Sequence, residues 1–291
     1  MLINETSKIT NLTKKAIEYY VEQDLISPII LDNGYRDFSK KDVECLNKIS
    51  VLRKLELSIL EIKAVLEDNT GNTLQKLSVQ KELNMQREQI KKTILSQLSC
   101  GKSYAEADEE LKTIDQSATI TDKLLYAFPG YYGRFICLHF SRFLNEPIKT
   151  NEQQLAYQEI IAFLDNVPSL NFSQDLQDYL IEYTKHISTE NITEMIESTK
   201  QSIENPEKFL SEKKEIIEQY LVFKQSDEYK KSPVYKMQNL LKEFNSTSGY
   251  YDIFIPAMKK LSISYSEYCR NMEIANEKLL KQHPEIAELN S

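Results

Sequence analysis

The sequence predicts a mainly α-helical protein with one small two-stranded ribbon near its N-terminus. Only six glycines occur in 291 residues, too few for a many-turned β sandwich or a glycine-looped nucleotide fold. Leu, Ile and Tyr recur at helical spacing over long stretches. One strong hairpin signal, Asp32-Asn33-Gly34, stands between two short β-branched or aromatic runs.

Ile3 to Ile9 make a short helical start, which Asn11-Leu12-Thr13 breaks; Ala16, Ile17, Tyr20 and Val21 then continue at helical spacing. That order is helix, tight turn, helix. Thr13 is placed to cap the second helix, with Lys14 and Lys15 following at a helix start, where backbone N–H groups also favour phosphate. Ser27 to Leu31 is too short and too β-branched for another helix, and Tyr35-Arg36-Asp37-Phe38 supplies the return strand. Alternation puts Arg36 beside the anchoring Phe38, within reach of a phosphate. Ser39 to Asp42 and Ser58 to Glu61 repeat the S-x-x-[DE] capping pattern and open two further helices. The first 68 residues therefore read as helix, helix, ribbon, helix, helix: a winged helix-turn-helix.

Charge divides unevenly. The whole chain carries a net −8, yet residues 1–66 hold ten Lys and Arg against ten Asp and Glu, so the acidic excess lies behind the front domain. Binding an anionic polymer then requires the front cations to cluster on one face and a dimer to double them. Cys45, Cys100, Cys137 and Cys269 are far apart, with no CxxC pair, so neither a disulfide framework, nor a metal site, nor a cofactor is expected. No secretory start and no membrane-length apolar run occurs, which places the protein in the cytoplasm, away from membranes. Catalytic signatures such as GxSxG, HExxH or a phosphate-binding glycine loop are absent, and His139, His186 and His283 stand isolated on helical patterns. An enzyme is not expected.

The run Thr13-Lys14-Lys15-Ala16-Ile17-Glu18-Tyr19-Tyr20 is followed by Asp24-Leu25-Ile26-Ser27-Pro28, Asn33-Gly34-Tyr35-Arg36-Asp37-Phe38-Ser39, Asp42-Val43, Leu52-Arg53 and Leu60-Glu61-Ile62-Lys63. In order and spacing this resembles the DNA-binding domain of the MerR family of bacterial transcription regulators, over nearly all of residues 2 to 68. The resemblance implies a homodimer joined by a long antiparallel coiled coil on double-stranded promoter DNA with an inverted repeat. With its effector present, such a dimer distorts the DNA so that RNA polymerase engages. By position, Thr13, Lys14 and Lys15 would present the recognition helix to the major groove. Tyr19 and Tyr20 would touch backbone phosphates, and Tyr35, Arg36 and Arg53 would complete the clamp, mostly positioning rather than reading bases. Tyr20 also shares a stripe with Ile17 and Val21, so core packing is its alternative. Two positions depart from the family. Glu18 stands where an arginine is usual before the tyrosine pair, and either turns toward Lys14 or Lys15 or changes how the operator is read. Glu56 replaces the glycine usual before the fourth helix.

Asp68 to Asn72 breaks the chain, and the run to Leu98 lacks Gly and Pro while placing Leu74, Leu77, Leu83, Ile90, Ile94 and Leu98 near heptad spacing, with Arg87 interrupting. Residues 69–101 are thus expected to form the dimerisation helix; a single amphipathic helix packed on its own domain is the alternative. Residues 102–291, punctuated by Pro129-Gly130, Pro147, Pro168, Pro206, Pro233 and Pro256, read as an all-helical effector-binding domain. Aromatic density singles out Tyr126, Phe128, Tyr131, Tyr132, Phe135, Phe140 and Phe143, and a second Gly-Tyr-Tyr at 249–251 with Phe254. Core packing accounts for most of these. Tyrosines also pair an apolar face with a polar tip, so Tyr131, Tyr132, Tyr250, Tyr251 and Phe254 are candidates to line a pocket for a lipophilic small molecule, with Asp252 nearby for a cation. A protein partner for this domain is the competing reading.

Overall fold

A computed structural model describes residues 1–128 and 130–284. The chain divides into two compact units, Met1–Leu74 and the remainder from Gln75.

The front unit contains α1 (Ile3–Thr10), α2 (Lys14–Glu22), β1 (Ile29–Ile30), β2 (Arg36–Asp37), α3 (Lys40–Lys54) and α4 (Ile59–Glu67). Asn11, in the left-handed conformation, ends α1. The Thr13 hydroxyl accepts from the Ala16 N–H at 3.1 Å and starts α2. The ribbon pairs Ile29 with Asp37 and Ile30 with Arg36, and the Leu31 N–H donates to the Tyr35 carbonyl at 2.8 Å across the Asp32-Asn33-Gly34 turn. Reciprocal capping boxes form at Ser39–Asp42 and Ser58–Glu61. Ile17, Tyr20, Phe38, Leu46, Ile49 and Ile62 fill the core. Glu56 adopts φ 63°, a left-handed conformation that costs a non-glycine residue about 1 kcal/mol or more.

Among its described residues the second unit has helices as its only regular secondary structure. The long α5 (Asn72–Ser99) turns at Gly101 into α6 (Tyr104–Ala127), with Arg87 bonding Thr121 and Ile94 packing on Ala107 and Ile114, an antiparallel hairpin. Then come α7 (Gly130–Ser141), α8 (Asn151–Asn166), α9 (Gln174–Thr184), α10 (Thr189–Glu204), α11 (Pro206–Glu212), α12 (Lys214–Gln225), α13 (Asp227–Lys231) and α14 (Pro233–Thr247). A π-helical turn, Tyr250–Phe254, leads into α15 (Ile255–Leu261) and α16 (Ile263–Gln282). The break expected at Pro129 lies outside the described residues. One core joins α5 (Val79, Leu83), α6 (Ile120, Leu124), α7 (Ile136, Phe140), α8 (Ile160, Phe163), α10 (Ile192, Ile196), α15 (Met258) and α16 (Tyr265). Glu146 reaches over the start of α16 and accepts from Ser262 Oγ (2.8 Å), Ile263 N (3.0 Å) and Ser264 N (2.9 Å). Those helix-end donors hold its carboxyl below the usual range.

The heptad expected along α5 does not form one outward seam. Val79, Leu83 and Ile94 are buried in the chain's own unit, Ile94 at 3% exposure, whereas Ile90 is 42% exposed. Arg87 interrupts the pattern because it faces inward, bonding Asn84 and Thr121. In this unit the most exposed apolar residues of α5 are Met85 and Leu95, with Ile90 exposed to a smaller degree.

Candidate functional site

The helix-turn-helix residues separate into an open face and a packed one. Thr13, Lys14, Lys15, Glu18 and Tyr19 are exposed along α2, while Ile17 and Tyr20 turn into the core. Period 3.6 forces this split, since residues three apart share a face and their neighbours do not. The two tyrosines differ accordingly: Tyr19 is 45% exposed and Tyr20 is 7% exposed, their rings 5.9 Å apart. The Tyr20 ring packs in the stripe with Ile17, leaving Tyr19 as the exposed member of the pair.

On the wing, Tyr35 is exposed at the tip and Arg36 half-buried beside buried Phe38. Arg53 is exposed at the end of α3 and spends one N–H, from Nη1 to the Leu57 carbonyl at 2.7 Å. Its other donors remain for an oxyanion. Glu18 is exposed and makes no ion pair with Lys14 or Lys15 among the described residues. The exposed start of α2 thus carries two cations and one uncompensated acid, with cap N–H groups at the same end.

In the second unit the aromatic candidates separate into two places. Tyr132, Tyr250 and Tyr251 gather beside Asn245. Burial pushes the Tyr132 hydroxyl up to about 12 against the hydrogen bond from Asn245, and burial with Tyr132 and Tyr251 nearby raises Tyr250 well above the ordinary value. Gly249, at φ 87°, opens the π turn that sets Tyr250 and Tyr251 here. Tyr131 stands apart, turned toward α10, its hydroxyl 3.8 Å from Met195 Sδ. Phe254 is fully buried, stacked on Tyr250 and edge-on to Phe140. Asp252 is exposed, and Tyr126 lies on the surface beneath the Lys76 ammonium. The half-buried His139 ring packs among Phe135, Phe140, Phe143 and Tyr268, and burial beside Arg142 lowers it to about 4.

Sequence spacing gave no notice of Arg134, which is buried on α7 over the Tyr131 ring. The available signal was a lone cation inside the otherwise uncharged run Gly130 to Leu138. Among the described residues, no three His, Cys, Asp or Glu side chains stand close enough to share a metal ion. No helix there is long and apolar enough to cross a membrane.

Comparison with known proteins matches residues 1–69 to the MerR HTH family regulatory proteins. Similar curated proteins are the HTH-type transcriptional regulators CueR of Yersinia pestis, 36% identical over 67 residues, and of Vibrio cholerae, 37% identical over 67 residues. Each of these alignments covers 23% of this chain and 48% of the relative. CueR of Escherichia coli O157:H7 is 40% identical over 55 residues, 19% of this chain and 38% of the relative. The chain thus spans about half the length of the curated relatives it matches. No solved structure matches it. The exposed start of α2, the two-stranded wing and the paired capping boxes of α3 and α4 agree with that match: the front unit of this chain is a MerR-family helix-turn-helix domain.

Proposed function

We propose that the chain is a DNA-binding transcription regulator that acts as a homodimer on an inverted-repeat promoter site and answers to a small molecule bound in its helical rear unit. The observation that carries the reading is the open face of α2. Lys14, Lys15 and Tyr19 are exposed there beside the Thr13 cap, in a MerR-type domain whose wing presents Tyr35 and Arg36. Thr13, Lys14 and Lys15 enter the major groove, Tyr19 and Arg53 hold phosphates, and Tyr35 and Arg36 hold the flanking backbone. Residues 1–66, which carry the helix-turn-helix and wing, have no net charge and so need a second copy to hold DNA at physiological salt. The outer stripe of α5, with exposed Met85 and Leu95, supports pairing between copies. Effector binding favours one arrangement of the paired helices, and the bound promoter is then distorted for RNA polymerase. A second reading, a protein partner for the rear unit, is favoured by one feature: Ile216, Tyr220 and Phe223 form an exposed apolar stripe at helical spacing on α12.

Selection from random duplex DNA, followed by footprinting, tests the reading. The expected outcome is a two-fold symmetric site protected on both half-sites. Recovery of no preferred sequence, or protection of a single half-site by a monomer, would refute it.

A further inference from the structure

We propose that Arg134 anchors an oxyanion, a carboxylate or phosphate-type group, on the ligand of the rear unit; this rests on reading that unit as the effector-binding part. Arg134 lies on α7 and is 3% exposed. Its Nη1 donates to the Ile187 carbonyl at 3.0 Å, while Nε and Nη2 are buried with no hydrogen-bond partner. Those two nitrogens share one edge of the guanidinium, the edge whose parallel N–H groups match both oxygens of a carboxylate. The vacant donors therefore form one binding fork.

Among the described residues, no acid completes the fork. Burial lowers the pKa of Arg134, and the opposing influence comes from Tyr131, not from a carboxylate. Folded proteins seldom keep a buried cation unpaired, because desolvating it is costly and half-satisfied donors remain. Holding the Ile187 carbonyl needs one neutral donor, so that role does not explain a guanidinium.

The surroundings suit an anion on an apolar body. The Tyr131 ring lies 5.7 Å beneath the guanidinium, Tyr131 is half-buried, and Met195, next to its hydroxyl, is 48% exposed. A ligand entering beside Met195 would meet a thioether and an aromatic face before the fork. Nε and Nη2 are shut from solvent in this conformation. A ligand therefore reaches the fork only when the packing over Nε and Nη2 opens.

The test is thermal unfolding of the full-length protein with benzoate and with phenylphosphonate, against benzamide as the uncharged control. Wild type is expected to melt about 2–4 °C higher with at least one anion at saturation, and to ignore benzamide. Arg134→Met, which removes the stranded charge, is expected to melt at or above wild type without anion and to show no anion-dependent rise. Arg134→Lys keeps the charge without the fork and is expected to lose most of the response. The inference is overturned if neither anion raises the wild-type midpoint, or if Arg134→Met responds as wild type does. Gel shifts on the same preparations keep the two readings apart. Intact DNA binding without an anion response removes this site alone, whereas absence of DNA binding removes the regulator reading.

Discussion

Ile94→Ala separates packing within a subunit from contact between subunits on α5. Ile94 is buried with Ala107 and Ile114, flanked by half-buried Leu98 and Leu111, in a small cluster away from the main core. Truncation removes three carbons, about 2.4 kcal/mol at ~0.8 kcal/mol per buried carbon. A cavity adds to this, but so small a cluster can partly collapse, so the expected cost is about 2–3 kcal/mol, the low end for such changes. The thermal midpoint should fall by about 4–8 °C by circular dichroism, while light scattering still gives the mass of a dimer. Ile90→Ala, at a half-open position, should cost under about 1 kcal/mol. Met85→Glu with Leu95→Glu, on the outer stripe, should separate the subunits with little loss of secondary structure. An Ile94→Ala protein that melts with wild type and runs as a monomer would refute the reasoning, because Ile94 would then face another copy.

His139 gives stability a pH dependence of defined sign. Its folded pKa is lowered to about 4 from 6.5, so between those values the unfolded chain binds the extra proton; the contribution is complete above pH 6.5 and lost as pH falls toward 4. His139→Phe should flatten the urea-unfolding profile over that window by up to about 3 kcal/mol, and an unchanged profile would place the ring in solvent. Gly133→Ala puts a Cβ 2.1 Å from the Phe128 carbonyl oxygen, a clash with backbone that no rotamer relieves. A loss of at least about 2 kcal/mol in urea titration is expected, and a wild-type midpoint would show that the α6–α7 turn is not this close.

The front unit was legible because its signals are local. Caps at Thr13, Ser39 and Ser58 and the Asp-Asn-Gly turn each act within a few residues of themselves, so sequence order alone places them. The side of α2 that packs was legible only as an alternative for Tyr20, since a tyrosine fits a core stripe and a phosphate contact equally well until its neighbours are fixed. Along α5 the heptad left two readings open for a physical reason: an apolar stripe records that a helix is covered, not whether a partner helix or its own domain covers it. Arg87 illustrates this, reading as a defect in a seam and standing as the inward bond to Thr121. Tyr131 and Tyr132 are adjacent in sequence yet project about 100° apart on α7, which sent one toward Met195 and the other toward Tyr250. Phe254 and Arg134 depended on contacts more than 50 residues distant, beyond the reach of any local pattern.

The central claim, that the front unit holds DNA through α2 and the wing, is tested most directly by the salt dependence of operator affinity for wild type and Arg36→Ala. Fluorescence anisotropy across about 50–300 mM salt should give wild type a steep linear fall of log affinity with log salt. Arg36→Ala should bind every sequence more weakly and lose about 0.9 from the slope for each phosphate contact removed in the dimer. Wild-type affinity and slope in Arg36→Ala would contradict the account and take the wing out of the interface.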